Sequence, residues 1–166
     1  MPATYEKIAT TTLGSTATSF SFSSIPATYT DLRLVMVSIL QTSLCIPGIR
    51  FNGLTTNIMS QVDLYGDGTT AGASSNTSTS RVLFGVAAQT TSDPAFFACD
   101  IFSYAGSTNK TLLVDGYVDR NGSGYVSRSV GLWRNTSAIT SLTILEVFGN
   151  GFAVGTTATL YGIKAA

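Results

Sequence analysis

Nine carboxylates, nine cations and no histidine define the chemistry open to this chain. Without an imidazole it can build no Ser-His-Asp triad, no Cys-His pair and no histidine metal ligand. Paired carboxylates survive that test, because glycoside hydrolysis needs only two acids at a set separation. The acids are Glu6, Asp31, Asp63, Asp67, Asp93, Asp100, Asp115, Asp119 and Glu146. Asp115 and Asp119 would share one face of a strand with Cα atoms ~13 Å apart. That is too wide for a retaining pair and awkward for an inverting one, so a hydrolase is not expected. The run Asp63-Leu64-Tyr65-Gly66-Asp67-Gly68-Thr69 sets carboxylates beside a glycine turn, as calcium loops do. It lacks the full EF-hand spacing and the about six to eight oxygens that calcium takes. Acidic turn residues in solvent are the plainer reading, and neither metal nor cofactor is expected.

The two cysteines, in Leu44-Cys45-Ile46 and Phe97-Ala98-Cys99, sit among apolar neighbours and read as buried thiols. Lys7, Arg33, Arg50, Arg81, Lys110, Arg120, Arg128, Arg134 and Lys164 are scattered singly. A nucleic-acid surface wants a basic stripe interleaved with aromatics, so none is expected. Trp133 closes the apolar run Val130-Gly131-Leu132-Trp133 and reads as half-buried packing. Arg134 and Asn135 follow at the strand end, where a partner contact would be placed.

Only 11% of the residues are charged, against about 25% in ordinary soluble domains, and the formal net charge is zero. Charge of one sign keeps proteins apart in solution. A neutral, hydroxyl-rich surface instead suits a protein covered by neighbours. No apolar run approaches the ~20 residues of a membrane-spanning helix. The start, Met1-Pro2-Ala3-Thr4-Tyr5-Glu6-Lys7, has no signal-peptide pattern, so synthesis in a cytoplasm is expected.

The elements that must position these groups are strands. Phe20 and Phe22 alternate with Ser19, Ser21 and Ser23, a period of two. Leu32–Leu40 is β-branched and nearly continuous, as in a strand covered on both sides. Ile49-Arg50-Phe51 precedes Asn52-Gly53, a strong turn dipeptide. Further strands are expected over Ile58–Tyr65, Arg81–Ala88, Ala95–Tyr104, Thr111–Val118, Gly124–Trp133, Ile139–Phe148 and Thr157–Ile163. The helical signal is weak everywhere, with room for one turn at most over Ser24–Thr30. Two hairpins are predicted: Leu112–Asp119 with Tyr125–Trp133, and Ile139–Phe148 turning through Gly149-Asn150-Gly151 to return along Thr159–Ile163. Residues 1–12 read either as an N-terminal arm or as the first strand, and residues 66–80 as a long polar loop. The density of short strands predicts one all-β domain over residues 1–166, an antiparallel β-sandwich of jelly-roll-like form.

Several runs then carry a resemblance: Phe20-Ser21-Phe22-Ser23-Ser24-Ile25-Pro26-Ala27-Thr28-Tyr29-Thr30-Asp31-Leu32, Gly48-Ile49-Arg50-Phe51-Asn52-Gly53, Tyr104-Ala105-Gly106-Ser107-Thr108-Asn109-Lys110, Gly131-Leu132-Trp133-Arg134-Asn135-Thr136-Ser137-Ala138-Ile139-Thr140-Ser141-Leu142, and the end from Gly149 to Lys164. Over nearly its whole length the chain resembles a family of small virion proteins of tailed bacteriophages, of the cyanophage and marine-phage type. The resemblance rests on turns and strands and brings no catalytic residues with it. It implies a virion component made in the host bacterial cytoplasm.

Three roles follow as expectations. The first is a capsid decoration or cement protein that stabilises the shell beside the major capsid protein. The second is a tail or fibre-tip module binding a host surface glycan. The third, a carbohydrate-binding module unrelated to phage, is weakened by the missing signal peptide. A homo-oligomer is expected, a trimer or another closed cyclic assembly, with no membrane partner. Candidate contacts are Tyr5 and Ile8 in the N-terminal segment, Asp67, Thr69 and Asn76 in the polar run, and Trp133 and Arg134.

Overall fold

Alternation of apolar and polar residues governs almost every segment, and the computed structural model, which describes residues 4–39, 46–85 and 93–164, turns it into strands throughout. In chain order these are β1 (Tyr5–Thr12), β2 (Ser19–Phe22), β3 (Asp31–Ser38), β4 (Pro47–Phe51), β5 (Met59–Gly66), β6 (Ala71–Thr79), β7 (Val82–Leu83), β8 (Ala95–Ile101), β9 (Lys110–Val118), β10 (Tyr125–Trp133), β11 (Leu142–Glu146) and β12 (Thr157–Ile163). No helix occurs among the described residues. Two antiparallel sheets result. Eight strands run in the order β1-β12-β3-β8-β9-β10-β5-β6, and four in the order β2-β11-β4-β7. Only the β5–β6, β8–β9 and β9–β10 connections stay within one sheet; every other connection passes from one sheet to the other.

Both sheets contribute to one core. The large sheet supplies Leu32, Leu34 and Met36 of β3, Phe97, Cys99 and Ile101 of β8, Leu112 and Val114 of β9, and Leu160 of β12. The small sheet supplies Phe22, Ile49, Phe51, Leu142 and Ile144. Two glycines let the short β7 segment lie against the large sheet. A Cβ on Gly131 would come within 2.7 Å of the Val82 side chain, and one on Gly116 within 2.6 Å of the Phe84 carbonyl oxygen. The Asn52-Gly53 turn forms with both residues at positive φ. There the Asn52 Oδ1 accepts from the Thr140 and Ser141 N–H groups, at 2.9 and 3.2 Å, and its amide donates to the Ala138 carbonyl. That one side chain ties the end of β4 to the segment that leads into β11.

The β9–β10 hairpin forms as its turn sequence predicts, in register from Tyr125↔Val118 to Trp133↔Lys110. The second predicted hairpin does not. β11 pairs with β2 and β4 in the small sheet, while β12 pairs with β1 and β3 in the large one. The Gly149-Asn150-Gly151 turn redirects the chain between sheets. The buried Glu146 carboxylate holds it, accepting from the N–H groups of Phe148 at 2.9 Å and Asn150 at 2.7 Å.

Two further expectations are corrected. The stretch 66–80 is no long loop: Ala71–Thr79 is strand β6, paired to β5 through a tight turn. Its small hydroxyl residues show no apolar phase because this edge strand is exposed over most of its length on both sides. β3 is not covered on both faces. Leu32, Leu34, Met36 and Ser38 are buried, while Val37 on the opposite face is 41% exposed. The N-terminal segment forms β1 and belongs to its own sheet. Leu40 and Val86–Ala88, at the ends of two predicted strands, lie outside the described residues, as does Cys45.

Cys99 is fully buried, and that burial pushes its thiol well above the usual range. The thiolate is the reactive form. In a Cys45→Ser variant the remaining thiol is expected to resist an aromatic disulfide reagent in buffer and to react completely in denaturant. Full reaction of the native protein within minutes would show that Cys99 is not held in this core.

Candidate functional site

Asp115 and Asp119 are each engaged separately. Asp119 lies past the end of β9 and accepts from the Gly122 N–H at 3.0 Å, while Asp115, on β9, pairs with Arg128 at 3.4 Å. In the 63–69 run, Asp63 accepts from Gln61, Ser129 and Ser74. Asp67 Oδ1 accepts from the Thr69 N–H at 2.9 Å, the Thr69 hydroxyl at 2.8 Å and the Thr70 N–H at 2.6 Å. These bonds, that from the Thr70 N–H foremost, hold the Asp67 carboxyl below its ordinary range. Its role is to close the β5–β6 turn. Among the described residues no three acidic or sulfur side chains gather as a metal site.

What the fold does assemble is a surface. Side chains of the large sheet that point away from the core fall in rows set by the strand register. One row runs Val37, Phe96, Tyr117, Val126. The next runs Val35, Ala98, Asp115, Arg128, Leu64. A third runs Arg33, Asp100, Leu113, Val130, Val62. Seven of these are large apolar groups left in solvent: Val37, Val62, Leu64, Phe96, Tyr117, Val126 and Val130, between 40% and 62% exposed. Phe96 and Tyr117 stack with ring centroids 6.1 Å apart. A shallow depression of about 420 Å³ opens beside them, lined by Leu64, Ala71, Asp115, Tyr117, Val126 and Arg128 among others.

The charges on this face are paired across strands. Arg33 Nη1 donates to both Asp100 oxygens, at 3.0 and 2.9 Å. Partial burial lifts the Asp100 carboxyl above its usual range, and Arg33 offsets only part of that. Within these three rows each cation is paired with an anion. Toward β1 the face becomes polar: Thr10 and Thr12 meet Thr159 and Thr157 through hydroxyl pairs, each at 3.0 Å. With strands ~4.8 Å apart and ~3.3 Å of rise per residue, the apolar rows span roughly 400 Å², within the range where such patches mark interaction sites.

The candidate contacts from sequence do not converge here. Trp133 is fully buried against Phe51, with ring centroids 5.3 Å apart. That corrects the half-buried expectation, since an indole in the core can touch no partner. Arg134 is spent on backbone carbonyls, donating to Met59 at 3.4 Å and Thr77 at 3.3 Å. Asn76 accepts from the Ser78 N–H at 3.1 Å in a bulge of β6. Ile8 marks the bulge of β1 and packs on the core. Tyr5 is half-exposed at the sheet edge beside Tyr161. The residues missed were the outward members of β5, β8, β9 and β10. Their signal was present in runs such as Ala95-Phe96-Phe97-Ala98, which are apolar in both phases of the strand.

Comparison with known protein families, characterised proteins and solved structures returns no match.

Proposed function

We propose that this chain is a non-enzymatic structural component of a tailed-phage virion, a decoration or cement protein that seats on the capsid shell. The observation that carries this reading is the apolar face of the large sheet, whose charged groups stand in ion pairs. An exposed patch of this kind marks a protein–protein contact, and its charges are neutralised in place, so covering it strands no lone ion. At roughly 400 Å² it is about half of a standard interface per partner. A modest contact suits a part repeated by symmetry, where many weak attachments act together. The sequence resemblance points the same way. We read the two sheets as the layers of a jelly-roll-like sandwich, on the strength of the shared core and the connections that pass between them. In that reading the large sheet turns its outer face to the shell and the protein assembles as a closed homo-oligomer.

The stacked Phe96–Tyr117 pair beside the Asp115–Arg128 depression favours one alternative, a tail or fibre-tip module that binds a host glycan. Aromatic faces and a carboxylate are groups that recognise sugars. Quantitative mass spectrometry of purified particles separates the two. On the decoration reading the copy number follows the shell lattice, on the order of hundreds. A tail-like number of about a dozen, scaling with tail symmetry, would replace that reading with the alternative. Absence from purified particles would overturn both.

A further inference from the structure

The two edges of the large sheet are unequal. β1, at one edge, carries the usual protections: Glu6 and Lys7 lie in the strand and a bulge interrupts it between Lys7 and Ala9. Natural edge strands use charge and bulges of this sort to refuse a neighbour's strand. β6, at the other edge, reads Ala-Gly-Ala-Ser-Ser-Asn-Thr-Ser-Thr. It has no charge, no proline and no bulky side chain, and its first six residues run without a bulge.

The ladder tells which backbone groups β6 leaves open. The turn closes with the Asp67 N–H donating to the Thr70 carbonyl. In an antiparallel pair, bonded and non-bonded positions alternate. With Gly66↔Ala71, Leu64↔Ala73 and Val62↔Ser75 in register, the N–H and C=O groups of Ala71, Ala73 and Ser75 point away from β5, off the edge of the sheet. The stretch is bounded on one side by the turn and on the other by the bulge at Thr77, whose carbonyl is held by Arg134.

We infer that β6 pairs antiparallel with β6 of a second copy, about a two-fold axis at Ala73. The open groups are symmetric about that residue. Ala73 faces its equivalent and Ala71 faces Ser75 in both directions, so about six backbone bonds close. The contact is isologous and uses the same patch twice, and it ends with two copies. Main-chain bonds supply the affinity, as in other strand additions. The strand is uncharged and the chain has zero net charge, so nothing repels the approach of a like copy. The guarded β1 edge then stays terminal and a continuous antiparallel sheet of two copies results. The closed assembly is a dimer, in place of the trimer expected from composition.

The test is the oligomeric state of the full chain and of Ala73→Pro. Proline at this position removes an N–H that bonds nothing within the chain, a place where edge strands tolerate it. Near-UV circular dichroism verifies that the variant keeps its core. Sedimentation of the wild type across a dilution series is expected to reach twice the 17.4 kDa chain mass. Ala73→Pro is expected to raise the dissociation constant by about tenfold or more, for the two donors lost per dimer. A cysteine pair checks the register independently. In a Cys45→Ser background, Ala73→Cys is expected to oxidise to a covalent dimer, because bonded partners stand ~5.5 Å apart at Cα, within disulfide reach. Thr10→Cys on β1 is expected to form no covalent dimer. A wild type that sediments as a monomer throughout overturns the inference. So does an Ala73→Pro dimer of unchanged affinity, or cross-linking through Thr10→Cys but not Ala73→Cys.

Discussion

Lys110→Met is expected to lower the unfolding free energy by about 3 kcal/mol, the upper end of what is lost when a charged donor is removed from its acceptors. Lys110 is wholly buried at the start of β9. Its ammonium donates to the carbonyls of Gly106 at 2.7 Å, Thr108, and Asn135 at 3.4 Å, and lies 5.9 Å from the centre of the Trp133 ring. One group therefore closes the turn before β9 and fastens it to the strand end after β10. Desolvation lowers its pKa, so keeping the charge has a cost. If that cost outweighed the bonds, methionine, which keeps the stem and its packing, would stabilise the fold. We expect the bonds to win, because one ammonium joins three carbonyls of two separate loops and methionine replaces none of those bonds. For a chain of this size the loss is about 6–12 °C in Tm. The pH dependence has a definite sign. A lysine whose folded pKa lies below its unfolded value binds fewer protons when folded, so its contribution to stability rises with pH between the two values. Lys110→Met removes that alkaline rise. Denaturant midpoints at neutral and alkaline pH measure both effects, and a variant as stable as the wild type would show the bonds to be dispensable.

Strands with a single apolar phase were legible in the sequence. β2, with Phe20 and Phe22 set against serines, and β12, with Ala158 and Leu160 set against threonines, were found within a residue or two. β6 was not, because a strand exposed on both sides has no phase to read and a run of Ser, Thr and Asn looks like a loop. The partner of β11 was also hidden. A Gly-Asn-Gly turn predicts a reversal, but it does not say whether the returning strand joins the same sheet or passes to the other. Lys110 gave no sign of burial, since its acceptors are backbone carbonyls that no side-chain pattern encodes. The outer face was misread for a more instructive reason. Val35 and Val37 on β3 made that strand look covered twice by its own chain. A strand apolar in both phases must be covered twice, but the second cover need not come from the same molecule. The seven exposed apolar groups are the part of that pattern the chain leaves uncovered.

That argument yields the second large effect. Charging the outer face, through Val130→Glu together with Leu64→Glu, is expected to leave the fold intact and to abolish attachment to particles. Both side chains are more than half exposed, at 51% and 62%, and surface substitutions usually change stability by less than about 0.5 kcal/mol. Val130 stands between Leu113 and Val62, and Leu64 stands opposite Arg128, which Asp115 already engages. Arg128 cannot neutralise Asp115 and a new carboxylate together, so each substitution leaves a carboxylate with no cation of its own. On burial beneath a partner it would be desolvated and unpaired, costing about 2 kcal/mol or more at each position. Two such positions amount to roughly a thousandfold loss of affinity per site. The measurement is reconstitution: particles lacking the protein are incubated with wild type or variant, and occupancy is read by mass spectrometry and by thermal release of the genome. Thr10→Glu, on the hydroxyl-bearing flank of the same face, is the control and is expected to bind nearly as well as the wild type. If the doubly charged variant fills particles to wild-type occupancy, the apolar rows of β5 and β10 are not the surface that meets the virion.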